Sequence, residues 1–177
     1  LTFTEMLHPR TLTGGGGKYR RQLLATDPTD VPLGHQIYGP TPELLVQGAR
    51  WLQENGATLV DLNMGCPQKK ITGVGSGAGL LRDPEKAVRI AEAVVRSVSI
   101  PVTVKIRLGW DPASPVAEWL ATRFEAVGVA ALTVHGRTRA QAFTGKADWE
   151  AIARVVRAVK TLPIIGNGDV ISPATAL

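Results

Sequence analysis

A cysteine at the end of a strand-like segment is the clearest candidate for chemistry in this sequence. The largely apolar run Leu59-Val60-Asp61-Leu62 leads into Asn63-Met64-Gly65-Cys66-Pro67, which contains the only cysteine of the chain. Glycine allows a sharp turn and proline ends a strand, so the pattern brings a carboxamide and a thiol to one point. Because free cysteines are often simply buried, this stretch alone leaves an active-site edge and a core cysteine as equal alternatives.

Polar residues recur at the ends of five successive strand-like segments. Residues two apart on a strand face the same side, and here one parity is apolar. The other parity carries Gln36, Asp61 with Asn63, Lys105 with Arg107, His135, and Asn167. A sheet covered by helices on both faces would be apolar at both parities, whereas a (β/α)₈ barrel gathers its catalytic residues at the carboxyl ends of its strands.

Each of these residues alone has an ordinary interpretation. His135 is consistent with a hydrogen-bonded core histidine, and Lys105 with a side chain that reaches out to solvent. Together they are harder to explain without a ligand, because each buried polar group left unpaired costs about 1–3 kcal/mol. The joint pattern predicts a planar ligand with many hydrogen-bond acceptors.

The residues leave several chemistries open. A thiol of ordinary pKa, near 8.5, is mainly protonated at neutral pH, so Cys66 could act as a general acid or as a nucleophile. Lys105 could form a Schiff base or act as a fixed cation beside an electron-rich cofactor ring. The glycine-rich stretch 73–79 closes with no Gly-Lys-Ser or Gly-Lys-Thr, so we interpret it as a mobile loop that carries Cys66. Beside the thiol, Lys69 and Lys70 could meet a phosphate backbone or simply be solvated.

Strand and helix patterns alternate along the chain, which predicts an α/β fold of parallel strands. Four helices are expected to begin at Thr41, Asp83, Ser114 and Asp148, with Thr41 and Asp83 as caps. Six strands are expected, near residues 1–6, 32–39, 59–63, 101–107, 129–135 and 162–167. Another helix is expected to begin at Ser172. We predict one domain built as a (β/α)₈ barrel.

Composition narrows the class of protein. The 177 residues are 44% hydrophobic and 20% charged, as in a domain with a core, and no apolar run is long enough to span a membrane. A single cysteine excludes an internal disulfide and a cysteine-based metal cluster, which favours a cytoplasmic location. The net charge is +5 and the pI about 9.7, which mildly favours a polyanionic partner. Lys18-Tyr19-Arg20-Arg21 combines cations with an aromatic ring, as RNA-binding segments do.

Five motifs in order closely resemble the tRNA-dihydrouridine synthases, and most nearly their bacterial B-type branch. The resemblance runs from about Thr4 to the end of the chain. The motifs are Asn63-Met64-Gly65-Cys66-Pro67 with Lys69-Lys70, then Pro101-Val102-Thr103-Val104-Lys105-Ile106-Arg107-Leu108-Gly109-Trp110, Val134-His135-Gly136-Arg137-Thr138-Arg139, Gly145-Lys146-Ala147-Asp148-Trp149, and Ile165-Gly166-Asn167-Gly168-Asp169.

This resemblance implies a specific chemistry. Members of that family reduce FMN with NADPH and then transfer hydride to C6 of a uracil in tRNA, while a cysteine protonates C5. By resemblance Cys66 is the proton donor, and Asn63 and Arg107 line the flavin and uracil pocket. The positions that match FMN contacts are Gln36, Lys105, His135, Asn167, Gly168 and Asp169. The candidates for tRNA contact are Tyr19, Arg20, Arg21, Lys69, Lys70, Arg137 and Arg139.

The resemblance also implies segments outside this sequence. We expect residues 1–177 to cover about strands 2 to 7 of an FMN-binding TIM-barrel catalytic domain, without the first strand, the last strand and a C-terminal helical tRNA-binding domain. Such a piece alone is expected to bind FMN weakly and to aggregate through exposed sheet edges. We expect no metal and no obligate protein partner. Two alternatives stay open: an FMN-dependent dehydrogenase of a free pyrimidine, of dihydroorotate or dihydropyrimidine type, and a non-catalytic RNA-binding module.

Overall fold

One sheet of six parallel strands forms the centre of the computed structural model, which describes residues 2–14, 17, 27, 29, 30, 32–172 and 175. Each strand pairs with the one before it in the chain. The sheet curls into half of a barrel, which confirms the predicted partial (β/α)₈ fold. The strands are β1 (Thr2–Phe3), β2 (Leu33–Ile37), β3 (Val60–Met64), β4 (Val102–Arg107), β5 (Ala131–His135) and β6 (Ile164–Asn167).

Helices connect the strands and cover the outer face of the sheet. Three of them begin where predicted, and Thr41, Asp83 and Asp148 each accept a hydrogen bond from the backbone N–H three residues later. Thr41 and Asp83 were predicted as caps, and Asp148 was predicted only as a helix start. The helices are α1 (Pro9–Thr13), α2 (Pro42–Glu54), α3 (Lys69–Thr72), α4 (Pro84–Val95), α5 (Ala117–Ala126) and α6 (Trp149–Ala158), with a 3₁₀ helix at Gly77–Arg82.

Helix α5 begins three residues later than the sequence predicted. The predicted start at Ser114 is wrong because the preceding segment pairs with the end of β4: Gly109 and Pro115 form an antiparallel bridge. Both Val116 and Ala117 then donate their N–H groups to the Leu108 carbonyl, at 2.9 and 3.2 Å. Helical hydrogen bonding therefore begins only after this bridge.

The segment after Cys66 is more ordered than the predicted mobile loop. It folds into α3 and the 3₁₀ helix, and its apolar residues Ile71, Ala78 and Leu81 are buried. Gly77 has a φ of +54°, and a Cβ atom there would lie 2.9 Å from the Cys66 carbonyl oxygen. The glycines thus allow the segment to pack closely against the cysteine turn.

Two sequence predictions fall on residues outside the described ones. The basic aromatic stretch Lys18-Tyr19-Arg20-Arg21 is one, and the start of a final helix at Pro173 and Ala174 is the other. Within the described part of the chain, no helix is both long and apolar enough to cross a membrane.

Candidate active site

Polar side chains from neighbouring strands meet on the inner face of the sheet. The strand register pairs Asn63 with Lys105, Arg107 with His135, and His135 with Asn167. Paired residues of parallel strands point to the same face, so these groups form rows near the carboxyl ends of β3 to β6. The structure therefore brings together the residues that parity selected in the sequence.

A hydrogen-bond network joins β2, β3 and β4 on this face. Gln36 Nε2 donates to Asp61 Oδ2 at 2.7 Å, and Asn63 Nδ2 donates to Gln36 Oε1 at 2.8 Å. On the other side, Thr103 Oγ1 donates to Asp61 Oδ1 at 2.6 Å. Burial raises the pKa of the Asp61 carboxyl, while these hydrogen bonds and the charge of Lys105 lower it. The network fixes the orientation of the Gln36 and Asn63 amides.

The ammonium group of Lys105, on the same face, has hydrogen-bond donors that no described group of the protein uses. Burial lowers the pKa of its ammonium and nearby Arg107 lowers it further, whereas Asp61 and Cys66 raise it. Its ammonium makes no hydrogen bond or ion pair with any group in the described part of the chain. All three N–H donors are therefore available to a ligand.

Cys66 lies half-buried on a turn held from two sides. Asn63 Oδ1 accepts hydrogen bonds from the N–H groups of Gly65 at 3.2 Å and Cys66 at 3.0 Å. The Cys66 carbonyl accepts from Ala78 N–H at 3.0 Å, and Arg107 Nε donates to the Gly65 carbonyl at 3.0 Å. The thiol is thus held at the carboxyl end of β3 by side chains that the sequence placed at the same strand ends.

The environment of His135 favours the neutral imidazole over the imidazolium. Burial lowers its pKa to about 4, with further lowering by the charges of Arg107, Lys105 and Arg137. Its Nδ1 atom is buried without a hydrogen-bond partner among the described residues. A Cβ atom at Gly168, where φ is +120°, would lie 3.2 Å from His135 Nε2. Glycine at 168 therefore lets the backbone approach the imidazole.

Two buried arginines hold the loop that follows β5. Arg107 donates to the carbonyls of Thr138 at 3.2 Å and Ala142 at 2.7 Å. Arg137 donates to the carbonyls of Thr144 at 3.1 Å and Gly145 at 2.6 Å. This loop is consequently fixed above the row formed by Arg107 and His135.

Arg137 and Asp169 form an ion pair with a distance of 2.8 Å between Arg137 Nη2 and Asp169 Oδ1. The Arg137 side chain is only 6% exposed, whereas a residue that grips a tRNA phosphate must present its guanidinium. Asp169 Oδ2 also accepts from Ala147 N–H at 2.7 Å, and this hydrogen bond, followed by the one from Arg137, lowers the pKa of Asp169. The geometry favours a bracing role for both residues; their predicted contacts to tRNA and FMN stay predictions.

Some residues of the site carried no signal in the sequence. Thr103 is the donor that completes the Asp61 network, yet threonine is common in strands. Phe143 is 76% exposed, and its ring centroid lies 6.4 Å from that of His135 and 5.4 Å from the Arg107 guanidinium carbon. An exposed aromatic in a loop can be recognised as part of a site only when the fold shows what lies beside it.

A cavity of about 330 Å³ opens on the polar face, within the size range of ligand pockets. Gln36 and Lys105 offer donors, while Phe3 and Ile165, 40% and 43% exposed, offer apolar walls. Donors beside exposed apolar surface suit a planar ring with acceptors at its edge, as a flavin is. The lining residues are Phe3, Gln36, Asp61, Lys105, Thr133, Ile165 and Asn167. A larger cavity, of about 660 Å³, lies outside α2 and contains none of the polar strand-end residues.

Of the remaining predicted residues, Asn167 lines the cavity of about 330 Å³. Asn167 is exposed at the end of β6, and Lys69 and Lys70 are exposed on α3. Arg139 is half-buried, and its guanidinium carbon lies 4.4 Å from the ring centroid of Trp110. Tyr19, Arg20 and Arg21 belong to the residues outside the description. Among the described residues, no three His, Cys, Asp or Glu side chains are grouped to hold a metal ion.

Comparison with known proteins agrees with the motifs. The family model described as "Dihydrouridine synthase (Dus)" matches residues 1–177. A "Probable tRNA-dihydrouridine synthase" of Rhodobacter capsulatus is 46% identical over 159 residues, which cover 90% of this chain and 48% of that protein. "tRNA-dihydrouridine synthase B" of Pseudomonas aeruginosa is 44% identical and covers 88% of this chain and 47% of that protein.

Among solved structures, a nitroalkane oxidase from Streptomyces ansochromogenes matches this chain at 15% identity. The match covers 84% of this chain and 45% of the oxidase chain. Its TM-score of 0.41 is too low to support an inference about this protein. The chain spans about half the length of the curated relatives it matches. Because the family model matches every residue from 1 to 177, this chain belongs to the dihydrouridine synthase family.

Proposed function

We propose that this chain supplies the catalytic half-barrel of a flavin-dependent enzyme that reduces uridine in tRNA to 5,6-dihydrouridine. One observation carries the proposal: the Cys66 turn is fixed by Asn63 and lies on the same face as a cavity that offers the unused donors of Lys105. The names of the relatives support uridine in tRNA as the substrate. Since tRNA is an intracellular molecule, we place this activity in the cytoplasm.

We propose that FMN binds in the cavity on the polar face. Lys105 would place a positive charge beside the ring, and the amides of Gln36 and Asn167 would bind its polar edge. His135, Gly168 and Asp169 would complete the contacts near the ends of β5 and β6. Bound FMN, kept reduced by NADPH, would supply the hydride that C6 of the uracil receives.

Cys66 would hold the proton that C5 of the uracil receives, at its Sγ atom. Asn63 binds the backbone N–H groups of the turn, and Arg107 binds its Gly65 carbonyl, so both keep the thiol at one position. A uridine inside a folded tRNA must leave its stack to reach this point. Lys69 and Lys70, which are exposed on α3, and Arg139, which packs on Trp110, would contact the tRNA backbone.

The decisive experiment uses the full-length gene product. We expect a flavin absorbance spectrum and NADPH-dependent dihydrouridine in unmodified tRNA, with product lost in Cys66→Ala and the spectrum retained. Free uridine and dihydroorotate serve as competing substrates. Turnover of a free pyrimidine without turnover of tRNA would favour the dehydrogenase alternative. Protein that binds tRNA without any flavin would favour the RNA-binding module.

A further inference from the structure

Two arginines from segments distant in sequence, the 3₁₀ helix and the loop after β5, pack on one tryptophan. The guanidinium carbons of Arg82 and Arg139 lie 4.1 and 4.4 Å from the ring centroid of Trp110, well within the range of cation–π contacts. Packing on an aromatic ring orients a guanidinium and limits its motion. Two positive charges are therefore held near each other in a defined arrangement.

The protein does not neutralise this pair of charges. Within the described part of the chain, neither Arg82 nor Arg139 has a carboxylate oxygen within 4.0 Å. The acidic neighbours in sequence are used elsewhere. Asp83 caps α4 through Lys86 N–H at 3.0 Å, and Asp111 Oδ1 accepts from Ala113 N–H and Ser114 Oγ at 3.0 and 2.8 Å.

Arg139 adds a second, independent sign of a ligand. Its Nε atom is buried and has no hydrogen-bond partner among the described residues, although buried donors are normally satisfied. The backbone around it is fixed, because Arg139 N–H donates to the Gly109 carbonyl and Ala140 N–H to the Trp110 carbonyl, both at 2.9 Å. A rigid platform thus carries an unused donor and two uncompensated cations.

This cluster lies at the same edge of the sheet as Cys66. Arg82 ends the 3₁₀ helix, and that helix is joined to the cysteine turn by the hydrogen bond from Ala78 N–H to the Cys66 carbonyl. We propose that Arg82, Trp110 and Arg139 form a clamp that binds backbone phosphates of the RNA strand next to the flipped uridine. The clamp rests on the function proposed above and adds Arg82 and Trp110 to the RNA-binding surface.

Binding of unmodified tRNA to the flavin-loaded, full-length gene product tests the clamp. Removing one cation that neutralises a phosphate should lower the slope of log Kobs against log salt concentration by about 0.7–0.9. We expect that change for Arg82→Ala, with about a fivefold to tenfold loss of affinity at low salt. Trp110→Leu keeps both charges, so its slope should stay near that of the wild type while its affinity falls. Thermal melts of each variant check folding.

Arg96→Ala is the control, because Arg96 is also an exposed arginine, follows the opposite end of α4 and is paired with Glu92 at 2.8 Å. It should leave both slope and affinity unchanged. A slope for Arg82→Ala equal to that of the wild type would overturn the clamp, even if dihydrouridine is formed. Slower flavin reduction by NADPH with unchanged tRNA binding would assign the cations to the NADPH phosphate instead, and would also overturn it.

The same assay separates this inference from the proposed function. If wild-type protein binds tRNA but forms no dihydrouridine, and Arg82→Ala still lowers the salt slope of binding, the clamp is retained and the activity is rejected. Wild-type protein that does not bind tRNA would reject both.

Discussion

Both faces of the same strands contain residues that are almost fully buried, but the two faces differ in how that burial is satisfied. On the outer face, Val60, Leu62, Val104 and Leu132 are at most 1% exposed and pack under the helices. On the inner face, the polar side chains of Asp61, Asn63, Arg107 and His135 are at most 8% exposed. Burial alone therefore does not identify a site in this protein.

Hydrogen-bond partners distinguish the two faces. Apolar atoms need only close contacts, whereas each buried polar atom needs a partner or carries a cost. Most inner-face groups find one within the protein, as Asp61 and Asn63 do. Lys105 keeps its donors and His135 keeps Nδ1 without a partner in the described part of the chain. The unsatisfied groups indicate where a ligand is expected, and the satisfied ones hold it in place.

The largest effect should separate activity from stability. Replacing Cys66 with alanine removes the proposed proton donor, and general acids typically contribute 10²–10⁴-fold to a rate, so dihydrouridine formation should fall by about that factor. The melting temperature should stay near the wild-type value, because the turn is held by backbone hydrogen bonds that alanine keeps. Single-turnover assays with prereduced protein measure the first effect and calorimetry the second. Full activity in this variant would remove Cys66 from the mechanism.

The outer face should show the reverse behaviour. Leu62→Ala deletes a side chain that is 1% exposed and should lower the free energy of unfolding by about 2–5 kcal/mol. The protein that remains folded should turn over tRNA at the wild-type rate, because Leu62 belongs to the apolar core and has the opposite strand parity to the polar residues. Urea unfolding measures the free energy of unfolding, and activity per folded molecule measures the turnover rate. A loss of activity larger than the loss of folded protein would contradict the division between the faces.

A smaller loss of stability should come from breaking the network on the inner face. Thr103→Val keeps the shape of the side chain but leaves Asp61 Oδ1 without its donor, at a cost of about 1–3 kcal/mol. Thr133→Val is the matched control on the neighbouring strand, at a half-buried position. Urea unfolding of both variants measures the difference. Equal stabilities would mean that solvent replaces the lost donor.

Sequence patterns were sufficient for the architecture and for grouping the polar strand-end residues on one face of the sheet. Strand parity and the caps at Thr41, Asp83 and Asp148 are local signals, and short-range physics determines them. The predicted start of α5 was wrong because the bridge between Gly109 and Pro115 is a tertiary contact that no local pattern encodes.

The segment after Cys66 was missed for a related reason. Its glycines were interpreted as freedom of motion, but Gly77 is there because the chain passes within contact distance of the Cys66 carbonyl. Arg137 shows that the partner of a charged residue is equally hard to predict. A motif can identify an arginine, but it does not indicate whether the guanidinium binds tRNA or an aspartate of the protein. Contacts between segments that are distant in sequence, such as that of Arg82 with Trp110, depend wholly on the fold.

The smallest effect should appear as a dependence of stability on pH. The folded-state pKa of His135 is about 4, below its ordinary value of 6.5, because burial and nearby Arg107 disfavour the imidazolium. Between those two values the unfolded chain binds a proton that the folded chain does not, so stability should decrease as pH falls from about 6.5 towards 4. His8 and His35, whose pKa values are also lowered mainly by burial, act in the same direction. Replacing His135 with glutamine should therefore flatten the profile of unfolding free energy in that window without abolishing its slope, and urea titrations at pH 7 and 4.5 measure the difference. An unchanged slope would mean that the inner face already admits the charged imidazole, and its unpaired Nδ1 would then no longer indicate a ligand.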